Sequence, residues 1–102
     1  MKACCKAFLD EQFEGDADLI NELYEVYCAS MEEKLAAIEE SAGRREWEAV
    51  DRSAHAVKGN ALAVGDTEMA EEAVALRGAA KLGDAQQAQG CISRMKEIAA
   101  GL

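Results

Sequence analysis

Apolar side chains return at steps of three and four residues along almost the whole of this chain, and no proline interrupts them. Ile20, Tyr24, Tyr27, Met31, Leu35 and Ile38 keep that step longest. A period near 3.6 puts such residues on one stripe of an α-helix, whereas a half-buried strand alternates every second residue. A helix with one apolar stripe cannot stand alone in water and has to lay that stripe against a partner. The same step recurs in the other segments, so the question is how many helices pack together and where they turn.

Glycines and capping residues mark the turns. Cys4, Cys5, Phe8, Leu9 and Phe13 can form one side of a short first helix closed by Glu14-Gly15. Asp16 or Asp18 then caps the long helix, which stops near Ser41-Ala42-Gly43, with Gly43 as the residue for a left-handed cap. Trp47, Val50, Ala54, Val57, Ala61 and Val64 line a helix expected over residues 46–64 and ended by Gly65. Asp66 or Thr67 caps the next, with Met69, Ala73, Leu76 and Ala80 inward up to Gly83, weakened locally by Gly78. Asp84 opens the last, where Ala88, Cys91 or Ile92, Met95, Ile98 or Ala99 and Leu102 keep the period. These segments predict an all-α fold: an antiparallel up-and-down four-helix bundle with a short N-terminal capping helix, one domain over residues 1–102. Half of the residues are hydrophobic and only 5% aromatic, as in bundles rich in alanine and glutamate.

Composition removes several classes of function. Twenty acidic residues against 11 basic ones give a net charge of −9, so a nucleic-acid backbone or an anionic membrane is repelled. The chain has no long unbroken apolar run, and the start Met1-Lys2-Ala3-Cys4-Cys5-Lys6 is too soon interrupted for a signal peptide, so the cytoplasm is the expected compartment. Cys4, Cys5, Cys28 and Cys91 show no CxxC spacing and read as free thiols, with Cys28 and Cys91 as small core residues and no metal site expected. A Walker-type loop, a second histidine and a carboxylate cluster are all lacking, so neither nucleotide binding nor autonomous catalysis is expected.

The one histidine is His55. On a helical wheel it lies roughly 130° from the centre of its helix's apolar stripe and points to water. Lys58 follows one turn later toward the boundary. Gly59 falls almost opposite the core, one turn from His55. A glycine inside a helix costs about 1 kcal/mol relative to alanine, and here it bares the backbone beside the imidazole. Asp51, one turn before His55, reads either as a solvated charge or as a group that biases the imidazole tautomer. Leu62, toward the histidine side, reads as incidental surface or as part of a docking patch. An unperturbed imidazole titrates near about 6.5, so a free lone pair is available near neutrality and the ring is a competent nucleophile toward phosphorus.

His55-x-x-Lys58-Gly59, followed six residues later by Gly65, resembles the signature of the histidine-containing phosphotransfer (HPt) domain of two-component phosphorelays. The similarity of layout covers nearly the whole chain. Asn60 and Ala61 follow the first glycine, where the family usually has small or hydroxyl residues; Ala61 fits and Asn60 departs. The resemblance implies that His55 carries a phosphoryl group between aspartates of receiver domains. It makes Lys58 a contact for phosphate and for the partner's acidic pocket, Gly59 a clearance residue and Gly65 a helix terminator. The implied partner is the receiver domain of a response regulator or hybrid histidine kinase, which supplies Mg2+ and the catalytic pocket. The chain then needs no cofactor of its own and is a relay intermediate rather than an enzyme, expected as a monomer, with Gly59, Leu62 and Asp51 on the docking side. Two alternatives stand beside this. One is the phosphoacceptor domain of a chemotaxis-type histidine kinase, phosphorylated from ATP. The other is a receiver-binding adaptor that takes no phosphate, against which the presence of both His55 and Lys58 argues.

Overall fold

The computed structural model describes residues 1–102 and contains five helices and no strand: α1 (Ala3–Gln12), α2 (Ala17–Gly43), α3 (Trp47–Ala63), α4 (Thr67–Leu82) and α5 (Ala85–Ala100). Each of α2 to α5 packs on the next, α5 closes back onto α2, and α1 lies against the end of this four-helix bundle. The 27 residues of α2 set the long dimension. At about 1.5 Å per residue they span roughly 40 Å, and the molecule measures 42 × 20 × 19 Å. None of the helices is long and apolar enough to cross a membrane.

The periodic stripes become the core. All six apolar residues expected on α2 are buried, as are Val50, Ala54, Val57, Ala61 and Val64 from the histidine helix. Each large apolar side chain so buried contributes about 1.5–3 kcal/mol. On α4 the inward line is Met69, Ala70, Ala73, Leu76, Ala79 and Ala80. Four of those six are alanines, and they face a helix whose own core includes Ala54 and Ala61. Small residues let two backbones approach closely, and α3 with α4 forms the most extensive helix pair of the bundle. Asp16, Asp66 and Asp84 each cap a helix by accepting from the backbone N–H three residues on, at 3.2, 3.3 and 3.0 Å.

Two expectations need correcting. The left-handed residue after α2 is Arg45 (φ +59°), not Gly43, which is the last residue of the helix and would tolerate a Cβ without contact. The chain turns two residues later than glycine placement suggests, because the Arg44 and Arg45 amides still reach back to the Glu40 and Ala42 carbonyls. On α1, only Cys5 and Leu9 are buried, while Cys4 and Phe13 are exposed. This helix has a single partner surface and ends at Gln12, so its stripe is narrower than five apolar residues suggest.

Gly65 has two reasons to be glycine. It adopts φ +75°, a conformation that ordinary L-residues enter only at a cost. A Cβ there would also overlap the Phe8 side chain of α1, which rests directly on the turn. Beside it lies the one fully buried carboxylate, Asp66. Its oxygens accept from Lys2 Nζ at 2.7 Å, from the Tyr27 hydroxyl at 2.7 Å and from the Met69 amide. Tyr24 completes the corner, accepting from the Lys2 amide at 3.2 Å and donating to the Leu102 carbonyl at 3.3 Å.

Burial at this corner makes stability depend on alkaline pH. Burial, with the Asp66 charge adding to it, pushes the Cys5 thiol up from 9.0 to about 12. Burial and then the hydrogen bond to Asp66 raise the Tyr27 phenol, burial raises the Cys28 thiol, and away from this corner, on α5, burial raises the Cys91 thiol as well. Burial lowers the Lys2 ammonium, but hydrogen bonds and charge from Asp66 and Glu68 outweigh it and the net shift is upward. In every case the folded chain keeps a proton that the unfolded chain releases, so stabilisation complete below the ordinary value is lost as pH rises past it. The melting temperature is therefore expected to fall between pH 9.0 and about 12, the window set by Cys5. An unchanged melting temperature across it contradicts this account.

Candidate functional site

The outer face of α3 carries Asp51 and Arg52, then His55, then Lys58 and Gly59, then Leu62, one turn apart in succession. His55 is exposed, as the periodicity of α3 requires once Val50, Ala54, Val57 and Ala61 face inward. None of the main surface clefts is lined by His55, so the imidazole stands proud of the bundle instead of lying in a pocket. Lys58 is half-buried and takes part in none of the chain's ion pairs. Leu62 is 49% exposed on the same helix. Gly65 stands apart from this face, at the turn that ends α3.

Asp51 is not a free solvated charge. Its Oδ1 accepts from Nε of Arg77 on α4 at 2.8 Å, and both side chains are half-buried. That hydrogen bond holds the Asp51 carboxyl below its ordinary 3.8, against the opposing effect of burial, with the Arg77, Lys81 and His55 charges helping. The same guanidinium places Nη1 3.0 Å from Nδ1 of His55. Arg77 therefore bridges the acid and the imidazole, and the close α3–α4 packing over alanines is what brings it within reach. Sequence reasoning missed Arg77 because it lies beside the apolar line of α4, where an arginine reads as solvated. One signal was available: His55 and Arg77 stand at equal distances along the chain either side of Asp66, at the turn, as facing residues of a helical hairpin must.

Gly59 has a helical backbone, and a Cβ built on it would meet nothing within 4 Å. The fold gives no reason for glycine here. Gly59→Ala is expected to stabilise the protein by up to about 1 kcal/mol, from helix propensity and a stiffer unfolded chain, and Gly59→Gln to be at least as stable as wild type. Thermal melts check both; a clear loss of stability in either variant would mean that Gly59 serves packing. Gly78, next to Arg77, is equally free of neighbours. Asn60 turns from the site and donates to the Ser30 hydroxyl on α2 at 3.4 Å. Beside that contact α2 leaves Val26 64% exposed.

No three His, Cys, Asp or Glu side chains come together as a group that could hold a metal ion. Against a chain of net charge −9, the cations Lys58 and Arg77 on this face stand out. An exposed imidazole with cations beside it is chemically suited to take up an anionic phosphoryl group delivered from outside. No curated protein and no solved structure matches the chain. The Hpt domain family does, over residues 22–102, a span that runs from early in α2 to the end of α5 and contains His55, Lys58, Gly59 and Gly65. The match covers most of the chain, and together with the helical bundle it establishes that this protein belongs to the Hpt domain family of two-component phosphorelays.

Proposed function

We propose that this chain is a phosphorelay intermediate that accepts a phosphoryl group on His55 from the phosphoaspartate of one receiver domain and returns it to the aspartate of another. The observation that carries this reading is the exposure of the only histidine on the outer face of α3, outside the main surface clefts and with a bare glycine one turn away. A nucleophile that projects from a convex face can enter a partner's pocket; it cannot enclose a substrate by itself. Nε2 is the ring nitrogen left clear of Arg77, and we assign it as the attacking atom. In the tautomer that carries the ring proton on Nδ1, the Nε2 lone pair bonds to phosphorus in line while the bond to the aspartyl oxygen breaks, and that carboxylate leaves with the electron pair. Lys58 approaches the equatorial oxygens and the partner's acidic residues, while Gly59 leaves room for the incoming loop. The receiver brings magnesium, which neutralises charge on those oxygens, and most of the catalytic pocket. Leu62, with Asp51 at the other end of the face, lies where the partner docks. The protein acts as a monomer in the cytoplasm, in keeping with its four free thiols.

Incubation with a phosphorylated receiver and magnesium tests the reading. One acid-labile, base-stable phosphate per chain is the expected result. Receiver binding without transfer would instead favour the adaptor, and labelling only by an ATP-dependent kinase domain would favour the chemotaxis-type phosphoacceptor.

A further inference from the structure

The contact between Arg77 and His55 has a direction. A guanidinium carries only donors and does not give up its proton at any ordinary pH. At 3.0 Å, Nη1 therefore donates and Nδ1 of His55 accepts with its lone pair. The neutral ring must then carry its own proton on Nε2, the nitrogen assigned above as the nucleophile. In the unphosphorylated protein neither ring nitrogen offers a free lone pair: one holds the proton and the other is occupied by Arg77.

The same contact bears on the phosphorylated ring. Once phosphorus is bonded to Nε2, the neutral ring has its lone pair at Nδ1, again suited to accept from Arg77. For the phosphoryl group to leave, a water or carboxylate oxygen bonds to phosphorus while the Nε2–P bond breaks and its electron pair returns to the ring. A ring protonated at Nδ1 departs as neutral imidazole; an unprotonated one has to depart as an imidazolate anion, a far poorer leaving group. A guanidinium seated on Nδ1 keeps that proton away.

We propose that Arg77 is a positioning residue that latches His55 at Nδ1, suppressing phosphoryl exchange at Nε2 in both directions until an anionic partner pocket draws the guanidinium off. The inference rests on the phosphorelay reading given above. Arg77 is built for such a movement. Its side chain is 27% exposed, so its outer edge can be reached, and the guanidinium, which moves as one rigid plane, has the Asp51 ion pair at 2.8 Å as a pivot that keeps it near the site when Nη1 leaves the imidazole. A phosphoryl group and carboxylates compete well for a guanidinium, because hydrogen bonds between ionised partners are about twice as strong as neutral ones. The latch thus keeps an undocked protein from gaining or losing phosphate to small molecules and water; when docking draws the guanidinium off, water delivers a proton to Nδ1 and takes the one on Nε2, and the lone pair freed at Nε2 attacks phosphorus.

The test uses the whole chain and needs no receiver. Nitrogen-15 spectra of the single imidazole, taken where it is neutral, are expected to show the ring proton on Nε2 and a hydrogen-bonded Nδ1. In Arg77→Met the Nδ1 resonance should move to the position of an unbonded nitrogen. The chain is then loaded with phosphoramidate, a small donor. Arg77→Met is expected to load faster and to lose its phosphate to water faster, each by about tenfold, the size expected for losing one hydrogen bond to a charged group. Arg77→Lys, which keeps a donor at the site, should hold both rates nearer to wild type. A wild-type ring protonated on Nδ1, an unmoved Nδ1 resonance in Arg77→Met, or loading and loss unchanged or slower in that variant would overturn the latch. Should the phosphorelay reading fail instead, transfer from receivers would be missing while the spectra and the phosphoramidate rates still decide the role of Arg77.

Discussion

His55→Gln is expected to take up no phosphate at all while melting within a few tenths of a kcal/mol of wild type. Surface substitutions away from structural features change stability by less than about 0.5 kcal/mol, and the imidazole is exposed, with Arg77 as its one side-chain partner. Glutamine keeps an acceptor within reach of that guanidinium but has no nitrogen with a nucleophilic lone pair. With one histidine in the chain there is no substitute. The measurement is radiolabel transfer from a phosphorylated receiver, read after acid and after base treatment, alongside a thermal melt. Label that survives the substitution would place the phosphate elsewhere and remove the assignment of His55.

The opposite dissociation is expected at Asp66. Asp66→Ala removes the acceptor for Lys2 Nζ, for the Tyr27 hydroxyl and for the Met69 amide, all at a position that is fully buried. Taking one partner from a buried ion pair strands the other, and the loss is about 3 kcal/mol here, the low end of the range for such pairs, since Lys2 keeps some access to water. For a domain of this size that corresponds to a melting temperature lower by at least about 12 °C. Asp66→Asn keeps one acceptor oxygen, enough for the Met69 amide and Lys2 or for the Tyr27 hydroxyl but not for both sides, and puts an NH2 donor in place of the other oxygen; it should recover less than about half of the difference. At temperatures where each variant is folded, phosphate uptake should match wild type, because Asp66 caps α4 beyond the end of α3 and is about three helical turns along the chain from His55. A loss below about 1 kcal/mol in Asp66→Ala would show that the corner is held by packing alone.

The bundle was legible in the sequence wherever one physical rule acts without competition. Along α2 the apolar step runs unbroken, so its phase could not drift and all six residues came out buried. The caps were legible to within two residues: Asp84 stood alone, while Asp16 and Asp66 stood beside Asp18 and Thr67, because neighbouring short polar side chains ahead of an apolar run serve the same use. Arg45 was not legible, because the left-handed residue there is chosen by how far the α2 carbonyls reach and not by the glycine nearby. Nor was the second role of Asp66: a helix cap looks alike whether it faces water or a lysine from another helix and a tyrosine hydroxyl. At the site, α3 alone displayed His55, Lys58, Gly59 and Leu62. The state of the imidazole depends on α4, and the pairing of facing residues across a turn is invisible to the periodicity of a single helix.

The seating of α1 has a consequence for where the folded unit begins. The family match starts at residue 22, yet Lys2 neutralises the buried carboxylate at the α3–α4 turn and Phe8 shields Gly65 in that same turn. A protein trimmed to the matched span keeps every residue of the His55 face and loses the plug over the α3–α4 turn, leaving a bare charge and an uncovered hairpin. A fusion partner or affinity tag joined at Met1 meets the same constraint in milder form, since the Lys2 backbone amide is already engaged with Tyr24. Tags placed after Leu102 approach the same corner, through the carbonyl that Tyr24 also holds. Residues 2 and 102 are thus pinned together by one tyrosine, and any alteration of the backbone at either has to spare it.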